Sequence, residues 1–539
     1  MKKKYLPFIV LLLLAALLTV FTSCGKAAVP DIDEYVITRS DSASYEIRSE
    51  CTDVWKAIRR LTGKELPIVL SSELDGSEKL IIVGSHPSGD YAAFTADMRV
   101  NDYAYGMSGD SFVIAGTSDE TTALAAEEYC RYVRALYDSG DTDAPLIGPG
   151  VSFAHEDEYD LSALTVNSAD IREYTVVYPR NIFIQKTLAE KISDTVLGKT
   201  GYSLGVMSDQ DAGDGKRIYI SIPDDSIDSD SYSITCGDDG SITVSGGSVE
   251  GLRCGVKLLC DRINAMEGSG ELVISDGIVG DVKTLEPFKV MTFNILEFNA
   301  YLRIDAVVET ILKYMPDSIG FQEASDSWMY ELVKRIGEYY DFYHTIPIDE
   351  QPVFYLKDKW TLVEGTRLAL SDTPEIDGTT VPGGQHPRSV YILLLERKSD
   401  GFRYYHVNTH FQPMNDGQKA RASEASVVAR LTDGLKDYPM FFTGDLNSSS
   451  TEEAHQILVG RRFYSSEALA EEKLVTGSSW CGDYYDINRT WSDRGSPIDY
   501  VYIKSPWVHT LTYKVIREPY GGMYPSDHFP VITEVEPIQ

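Results

Sequence analysis

The sequence predicts an α/β protein in which two small α+β domains precede a larger α/β domain. Three observations support this. A pattern in the order β-α-β-β-β-α occurs twice before residue 280, with strands of period two and helices that bury one face. A third pattern begins at residues 288–295, a dense apolar run typical of a strand buried on both faces. The length of 539 residues is enough for three or four separate cores.

The N-terminal residues 1–24 are predicted to be an export signal. Three lysines precede a nearly uninterrupted apolar run over residues 5–21, and small residues lead from there to Cys24. The segment Thr22-Ser23-Cys24-Gly25 resembles a bacterial lipobox, which implies that Cys24 is lipidated and that the protein is a membrane-anchored, extracytoplasmic lipoprotein. An uncleaved membrane anchor is the alternative interpretation, because the apolar run is close to the length that spans a bilayer.

The cysteine content argues against a disulfide scaffold. Six cysteines besides Cys24 are spread thinly over the rest of the chain, and no pair has the spacing of metal ligands. Cys51 and Cys130 could meet across two helices, although buried free thiols are the favoured interpretation for most of the six.

The charge argues against binding to polyanions through bulk electrostatics. The net charge is −33, and residues 288–539 contribute −12 of it, from 24 basic and 36 acidic residues. A field of this sign repels nucleic acid and other polyanions. If the substrate is a phosphoester, local arginines and a divalent cation have to attract it.

The two α+β domains are predicted over residues 25–160 and 161–280. Each should contain a strand, a helix that ends in Thr-Gly, a second strand, a hairpin and a last helix. Superposition of the two patterns places Cys130 on Cys260, which supports a repeat. The pattern resembles the small noncatalytic α+β domain that precedes the barrel in β-hexosaminidases and α-glucuronidases. The resemblance implies a spacer or a module that contacts glycans, and the spacer is favoured.

The domain predicted over residues 286–539 has polar residues at the ends of six buried strands. They are Asn294, Glu323, His410, Asp445 with Asn447, Asp499, and Asp527 with His528. Residues i and i+2 of an extended segment point to the same side, so Asp445 and Asn447 can converge on one ligand if the strand end stays extended. A polar turn explains any one of these positions taken alone, but six in one domain indicate a site.

These residues lie in a series of short motifs. In chain order the motifs are Thr292-Phe293-Asn294-Ile295, Gln322-Glu323, Asn408-Thr409-His410, Gly444-Asp445-Leu446-Asn447, Ile498-Asp499-Tyr500 and Ser526-Asp527-His528-Phe529-Pro530. The series resembles the endonuclease/exonuclease/phosphatase superfamily, which includes secreted DNases, abasic-site endonucleases, neutral sphingomyelinases and inositol polyphosphate 5-phosphatases. The resemblance covers all of residues 288–539. It implies a DNase I-like four-layer α/β sandwich, with two mixed β-sheets face to face and helices outside.

The resemblance also implies a metal site and an acid–base pair. Glu323, helped by Asn294, should hold Mg²⁺ or Mn²⁺, which neutralises a phosphate oxygen and steadies the leaving oxyanion. Asp527 completes this metal site or a second one. Asp499 accepts a hydrogen bond from His528, which either takes a proton from water or stabilises the transition state. The number of metal ions and the role of His528 stay open at this point.

The remaining candidate residues should contact the phosphate or the attacking water. In the resemblance, Asp445 and Asn447 position the water and hold a nonbridging oxygen, and His410 contacts the phosphate or donates a proton. Arg388 matches an arginine that the family places near the phosphate. A structural ion pair is the alternative interpretation of Arg388.

Two features set this chain apart from its relatives. Gln412 and Pro413 stand where many bacterial relatives have an Asp-His pair, whereas Gly417 and Arg421 fit the start of the helix that follows. The loop 478–485 carries Trp and Tyr side chains. These aromatic side chains could stack on a base or sugar, or simply cover an edge of the core.

We therefore expect a divalent-metal-dependent phosphoester hydrolase on the outer face of the cell membrane, and first of all a phosphodiesterase or nuclease. A phosphomonoesterase or a lipid phosphodiesterase of the sphingomyelinase type is the alternative. The substrate would be a nucleic acid, a phospholipid or a phosphorylated glycan. A noncatalytic glycan-binding surface lipoprotein is the alternative from another class. The lipidated N-terminus would bind the membrane, the repeats could contact glycan, and the chain is expected to be a monomer.

Overall fold

The computed structural model describes residues 32–140, 144–274, 277–345, 350–413, 417–435, 437–482 and 495–539. None of the helices in these segments combines the length and the apolar character needed to cross a membrane. The predicted signal with Cys24 lies outside the described residues, and so does part of the aromatic loop, from residue 483 onward. Lipidation and an extracytoplasmic location therefore stay predictions.

The chain forms two compact units. The first runs from residue 32 to Glu173 and also includes Ser193–Gly205 and Ile263–Leu272, and the second comprises Tyr174–Ile192, Val206–Arg262 and Val273–Gln539. The domain boundaries predicted at residues 160 and 280 stay predictions.

The first unit contains a six-stranded mixed sheet and a three-stranded sheet. The strands of the larger sheet are β1 (Tyr35–Arg39), β2 (Ile68–Leu70), β3 (Lys79–Val83), β4 (Tyr103–Ser108), β5 (Ser111–Gly116) and β6 (Phe153–His155), in the order β2-β1-β3-β5-β4-β6. The smaller sheet has the order β14-β7-β8 and consists of β7 (Leu161–Val166), β8 (Ala169–Asp170) and β14 (Gly268–Leu272). The helices are α1 (Tyr45–Thr62), α2 (Gly89–Thr95) and α3 (Asp119–Ser139).

Helix α1 shows how the local sequence sets these elements. Ser44 caps its first turn, because its hydroxyl accepts a hydrogen bond from the Ile47 amide at 3.2 Å. Gly63 ends the helix with a φ of 72°, a left-handed conformation that glycine adopts without steric cost. Cys51 of α1 and Cys130 of α3 are buried free thiols, and burial raises the pKa of each to about 12.

The second unit contains a sheet with the same strand order as the first. Its strands are β9 (Tyr174–Tyr178), β10 (Val206–Ser208), β11 (Lys216–Ile220), β12 (Ser231–Cys236), β13 (Ile242–Gly246) and β15 (Ile278–Asp281), in the order β10-β9-β11-β13-β12-β15. The helices of this part of the chain are α4 (Phe183–Thr200) and α5 (Val249–Asn264). The chain therefore uses one sheet topology twice.

Within the second unit, the helices beside this sheet contact the C-terminal part of the chain. The buried Arg253 of α5 donates a hydrogen bond to the carbonyl of Pro506. The ring of Phe183 meets that of Tyr464 edge-on, with centroids 4.4 Å apart. Because these contacts would be cut by truncation at residue 286, functional experiments require the longer chain.

Two large mixed sheets form the C-terminal part. The first has the order β18-β19-β17-β16-β28-β27-β25 and contains β16 (Phe288–Asn294), β17 (Ser318–Gln322), β18 (Tyr340–Tyr343), β19 (Val353–Leu356), β25 (Glu472–Val475), β27 (Val508–Val515) and β28 (Val531–Pro537). The second has the order β20-β21-β22-β23-β26-β24 and contains β20 (Trp360–Ala369), β21 (Ser389–Arg397), β22 (Arg403–His410), β23 (Met440–Asp445), β24 (Tyr464–Ser465) and β26 (Asp499–Lys504).

Helices cover the outer faces of both sheets. Residues of α6 (Ala300–Tyr314) and α7 (Asp326–Ile336) join the core of the first sheet, and residues of α8 (Gln418–Thr432) and α9 (Glu453–Gly460) join that of the second. A short helix, α10 (Ser466–Leu469), follows β24. The predicted α/β fold with a C-terminal four-layer sandwich is confirmed.

The space between the two sheets changes from aromatic to polar along the strands. At one end the ring of Phe288 packs against those of Trp360, Tyr404 and Phe441, with centroids 5.0 to 5.4 Å apart. Side chains of a strand alternate between its two faces, so each step of two residues leads farther along the same space. From Tyr404 these steps reach His406, Asn408 and His410, and the polar end of the space is where the candidate site lies.

Candidate active site

The predicted strand-end residues meet at one edge of the two large sheets. Asn294 is the last residue of β16, and Glu323 directly follows β17, which runs parallel to β16. His410 and Asp445 are the last residues of β22 and β23, also parallel, and they are register partners. Asp499 begins β26 opposite Asp445, because β26 runs antiparallel to β23. The parallel strands end at this edge, and the antiparallel strand β26 begins there. These side chains therefore lie close together.

Three side chains converge on one oxygen of Asp445. Asn294 Nδ2 donates a hydrogen bond to Asp445 Oδ2 at 3.0 Å, and the Nε2 atoms of His410 and His528 lie 3.5 and 3.7 Å from the same oxygen. The other oxygen, Oδ1, accepts the backbone N–H of Asn447 at 2.8 Å. The two histidine distances are too long for direct hydrogen bonds. Asp445 is therefore the geometric centre of the site.

Asp499 orients His528. His528 Nδ1 lies 2.9 Å from Asp499 Oδ2, and because a carboxylate only accepts, Nδ1 carries the proton of this hydrogen bond. The predicted pairing of these two residues is present. The hydroxyl of Ser479 donates to the same carboxylate oxygen at 2.7 Å. It also accepts the backbone N–H groups of Ile498 and Asp499 at 2.9 and 3.0 Å. The sequence did not predict this role of Ser479, because nothing but its position in the loop 478–485 distinguishes it.

Burial of two carboxylates controls the charges in this cluster. Desolvation raises the pKa of Asp445 to about 7, and the nearby charge of Asp499 adds to the rise. Desolvation alone would lower the pKa of His528, but Asp499 and Asp445 outweigh it and raise the pKa to about 10. His528 is therefore a cation at neutral pH.

His410 is a neutral histidine that faces two donors. Burial, Arg388 and His528 hold its pKa well below the ordinary value. Arg388 Nη1 lies 3.3 Å from His410 Nδ1, and Asn447 Nδ2 lies 3.1 Å from Nε2. Asn447 Nδ2 also donates to the carbonyl of Phe411 at 3.2 Å, which fixes the orientation of its amide. A neutral imidazole accepts at only one nitrogen, so His410 cannot satisfy both donors.

Arg388 lies beside His410. Its Nε atom is buried and has no hydrogen-bond partner. Within the described part of the chain, no carboxylate forms an ion pair with it. The guanidinium therefore has unused donor capacity next to His410.

Glu323 and Asn294 form the other side of the site. Asn294 Nδ2 donates to Glu323 Oε1 at 2.9 Å as well as to Asp445, so the amide bridges two carboxylates. Asn294 Oδ1 accepts the N–H of Leu296 at 3.0 Å, and Glu323 Oε2 accepts that of Glu297 at 3.0 Å. Glu323 has a φ of 61°, a left-handed conformation that is rare outside glycine and is found at functional sites.

The donor set fits a hard divalent cation. Asp445 and Asp499 offer buried carboxylate oxygens that lie within 4.8 Å of each other. Asp499 Oδ1 is buried without a hydrogen-bond partner, so this carboxylate oxygen is free to bind a cation. Glu323 adds another carboxylate through the Asn294 bridge. Carboxylate oxygens are the ligands that Mg²⁺ and Mn²⁺ prefer.

Asp527 is placed differently from the other predicted metal ligands. Its carboxylate accepts the hydroxyl of Ser526 at 3.2 Å, and its backbone carbonyl accepts the N–H groups of Cys481 and Gly482. Among the described residues it makes no hydrogen bond with Asn294 or Glu323. A metal site that includes Asp527 stays a prediction.

A buried polar layer beneath the site was not predicted. Asn408 Oδ1 accepts hydrogen bonds from Gln322 Nε2 at 2.8 Å and from the hydroxyl of Thr443 at 2.9 Å, which ties the two sheets together. His406 lies between the hydroxyls of Ser318 and Thr443, at 2.8 Å from each. The signal that could have found this layer is the alternation of polar residues at His406, Asn408 and His410. A Cβ on Gly320 would collide with this layer, so glycine is required there.

A buried arginine also supports the site. Arg303 of α6 donates to the carbonyls of Ile295 and Pro525 at 2.6 and 2.8 Å and to that of Leu296 at 2.6 Å. It thereby joins the segment after Asn294 to the segment before His528. A single arginine in an amphipathic helix gives no sequence signal for this role.

The loop before β26 is described only as far as Gly482. Trp480 is 50% exposed and forms an isolated backbone bridge with His528. An aromatic ring is therefore available beside the histidine, and stacking on a base or sugar stays a prediction.

Comparison with protein families gives one match. The model of the endonuclease/exonuclease/phosphatase family matches residues 291–528, the segment that contains every strand-end residue from Asn294 to His528. Members of this family are hydrolases that act on phosphoester bonds. Residues 291–528 of this chain thus match the endonuclease/exonuclease/phosphatase family model and have the DNase I-like fold, whereas the resemblance of the two repeats to glycosidase accessory domains stays a prediction.

Solved structures resemble the same region. An endonuclease/exonuclease/phosphatase family protein from Bacteroides thetaiotaomicron is 22% identical, with a TM-score of 0.43, over 47% of this chain and 98% of that chain. A mannosyl-6-phosphatase from the same organism is 23% identical, with a TM-score of 0.42, over 46% and 99%. TDP2 from D. rerio, complexed with a single-strand DNA product, is 15% identical, with a TM-score of 0.38, over 47% and 99%. None of the curated proteins matches the chain. These similarities assign no substrate to this protein.

Proposed function

We propose that residues 286–539 hydrolyse phosphodiesters with the help of a divalent cation. The observation that carries the proposal is the convergence of Asn294, His410 and His528 on the buried Asp445 Oδ2. Buried ionisable groups with strongly shifted pKa values cost folding free energy and cluster at catalytic sites. The match of residues 291–528 to a family of phosphoester hydrolases supports the same conclusion.

Asp445 holds and activates the attacking water in this mechanism. A water beside Asp445 Oδ2 can also reach the Nε2 atoms of His410 and His528, which lie 3.5 and 3.7 Å from that oxygen. A carboxylate with a pKa near 7 can also take a proton from that water at neutral pH. Asn447 lies beside it and can hold a nonbridging phosphate oxygen.

His528 stabilises the transition state as a cation. Its Nδ1–H is held by Asp499, so Nε2–H is free to donate to a phosphoryl oxygen as negative charge develops. With a pKa of about 10 it is a poor proton acceptor at neutral pH. The base role therefore goes to Asp445 and the electrostatic role to His528.

Arg388 binds the phosphate. Its buried Nε lacks an acceptor, and its Nη1 competes with Asn447 for His410. A phosphate group offers several acceptor oxygens and pairs well with the planar guanidinium. Substrate binding would satisfy donors that the protein leaves without acceptors.

Glu323 would hold the divalent cation, with Asn294 between it and Asp445. When bound, the cation neutralises charge on a phosphate oxygen and on the leaving oxyanion. The net charge of −12 over residues 288–539 disfavours long polyanions, so a short phosphodiester is the expected substrate.

A direct assay tests the proposal. The chain without its predicted signal, residues 25–539, would be incubated with bis-p-nitrophenyl phosphate in Mg²⁺, in Mn²⁺ and in EDTA. We expect metal-dependent turnover and a preference over the monoester p-nitrophenyl phosphate. A reversed preference would indicate a phosphomonoesterase. Absence of metal-dependent turnover on either compound would contradict the proposal and favour a noncatalytic protein.

The natural substrate class requires a panel. Single-stranded DNA, RNA, sphingomyelin, inositol phosphates and phosphorylated glycans would be compared at equal phosphate concentration. We expect short nucleic acid or other small phosphodiesters to be hydrolysed faster than long duplexes. Faster hydrolysis of long duplex DNA would overturn the charge argument.

We further propose that the protein is displayed on the outer face of the membrane through lipidated Cys24. The lipobox-like segment before Gly25 supports this. Metabolic labelling with an alkyne fatty acid should mark the wild-type chain and leave Cys24→Ala unlabelled. Equal labelling of both chains would contradict the proposal.

A further inference from the structure

Gln412 is a buried amide whose hydrogen bonds hold the segment before Arg388. Its Oε1 accepts the backbone N–H groups of Gln385 and His386 at 3.0 and 3.1 Å. Its Nε2 donates to the carbonyl of His386 at 2.6 Å. Two amides and one carbonyl of an otherwise exposed segment are thus fixed by one side chain.

The other end of the Gln412 side chain is anchored to a buried carboxylate. Nε2 of Gln412 donates to Glu424 Oε1 at 3.1 Å, and its backbone N–H donates to Glu424 Oε2 at 3.0 Å. Glu424 lies on α8 and is fully buried. The amide therefore uses both its donor hydrogens and its acceptor oxygen, and it connects a helix of the sandwich to the segment of Gln385 and His386.

This arrangement requires an amide at residue 412. A carboxylate there could still accept the two backbone N–H groups, but it could not donate to the carbonyl of His386 or to Glu424. It would also place a second negative charge beside Glu424 in a buried region. An aliphatic side chain would leave four polar groups of its partners without this bond.

The held segment leads directly to Arg388. Arg388 is two residues beyond His386, and its backbone carbonyl accepts the N–H of Leu370 at 2.7 Å, so the chain is fixed on both sides of Pro387. Its guanidinium then lies 3.3 Å from His410 with Nε unsatisfied. The placement of the guanidinium thus depends on a segment whose own side-chain anchor is Gln412.

We propose that Gln412 is a positioning residue, which holds Arg388 toward the substrate phosphate by tying Gln385 and His386 to the buried Glu424. The inference rests on the proposed function for its kinetic consequence, because Arg388 is a phosphate-binding residue only in that account. It goes beyond that function by assigning phosphate affinity to a residue that does not itself contact the phosphate.

Kinetics of the isosteric variant Gln412→Glu test the inference in residues 25–539. We expect KM for bis-p-nitrophenyl phosphate and Ki for inorganic phosphate each to rise about 10- to 100-fold, since small displacements of a positioned group have effects of this size. We expect kcat to change by less than about threefold. The matched control is Gln456→Glu, the same change at an exposed position of α9, which should leave both constants at the wild-type values.

A double-variant cycle separates positioning from general damage. Arg388→Ala alone should raise KM as much as Gln412→Glu does, and the combined variant should show no further rise, because both changes remove one interaction. Multiplicative effects of the two changes would overturn the inference. A loss confined to kcat would overturn it as well.

Hydrogen–deuterium exchange decides the same point without activity. In Gln412→Glu, the peptide that contains Gln385 and His386 should exchange at least about 10-fold faster, while peptides of β22 and β23 keep their rates. Unchanged exchange at Gln385 and His386 would overturn the inference even if catalysis is impaired. If the wild-type chain neither turns over substrate nor binds phosphate, the proposed function fails, and this exchange result still decides whether Gln412 holds the segment.

Discussion

The two ends of the space between the large sheets are built from the same strands but for opposite purposes. At one end Phe288, Trp360, Tyr404 and Phe441 form an aromatic cluster whose members are uncharged at neutral pH. At the other end, six residues farther along β22, His410 meets Asp445. The aromatic end stabilises the fold through apolar burial, whereas the polar end buries charged groups at a cost in folding free energy.

The change from aromatic to polar residues between these ends explains how the fold can bury the charged groups of the site. The rings fix the distance between the sheets, and the polar layer fixes their register through the hydrogen bonds of Asn408 to Gln322 and of His406 to Ser318. The groups of the candidate site are then held by both sheets. The comparison predicts that changes at the aromatic end affect stability, and that changes at the polar end affect activity.

Asp445→Asn should give the largest effect and break the polar end alone. The amide cannot take a proton from water, so kcat should fall by at least about 10³-fold. The midpoint of thermal unfolding should stay the same or rise, because a buried carboxyl group with a raised pKa has been removed. Kinetics and calorimetry of the same preparation would check both, and a lowered midpoint would point to a structural role instead.

Phe288→Ala should break the aromatic end alone. Loss of a fully buried ring should lower the free energy of unfolding by about 3 to 5 kcal/mol. Five of the six tryptophans lie in residues 288–539, so denaturation followed by tryptophan fluorescence reports on this part of the chain. The folded fraction should keep kcat within about threefold. A large fall in kcat would mean that the two ends are not separable.

The pH dependence of stability sharpens the comparison at His528. Its pKa is about 10 in the folded chain and 6.5 ordinarily, so its stabilisation is fully present below pH 6.5 and is lost as pH rises through 10. Between pH 6.5 and 10, the free energy of unfolding of the wild type should therefore fall on the order of 2 to 4 kcal/mol more than that of His528→Asn. Equal pH dependence of the two chains would show that the raised pKa of His528 is not coupled to folding.

Thr443→Val, between the two ends, should give the smallest effect. It removes the hydroxyl that bonds to His406 and Asn408 while keeping the volume, so stability should fall by about 1 to 3 kcal/mol. We expect a mild fall in kcat as well, because the layer sets the register of the site. Denaturation and kinetics of Thr443→Ser, which keeps the hydroxyl, provide the control.

The strand-end residues were predictable because each follows or precedes a short apolar run. Asn294, Glu323, His410, Asp445, Asp499 and His528 stand where a buried strand would otherwise continue, and the six lie together in the structure. The α/β fold followed from the same alternation of runs and amphipathic helices. A polar residue that interrupts a buried apolar run can be recognised from the sequence alone.

The supporting residues were not predictable for a physical reason. Ser479, Arg303 and Gln412 act through contacts with segments distant in the chain, and their neighbours in sequence give no periodic signal. Metal binding by Asp527 stays a prediction from its motif, and only the structure shows that its backbone carbonyl accepts the N–H groups of Cys481 and Gly482. Contacts between segments depend on the tertiary fold and not on local pattern.

The central claim is that the groups around Asp445 hydrolyse phosphoesters with a divalent cation. The most direct measurement is the initial rate on bis-p-nitrophenyl phosphate for wild type and His528→Ala, each in Mg²⁺ and in EDTA. We predict that only the wild type in Mg²⁺ turns over appreciably, and that the variant, although folded at the assay temperature, loses at least about 10²-fold in rate. Equal rates for the folded variant and the wild type, or a wild-type rate unaffected by EDTA, would contradict the account.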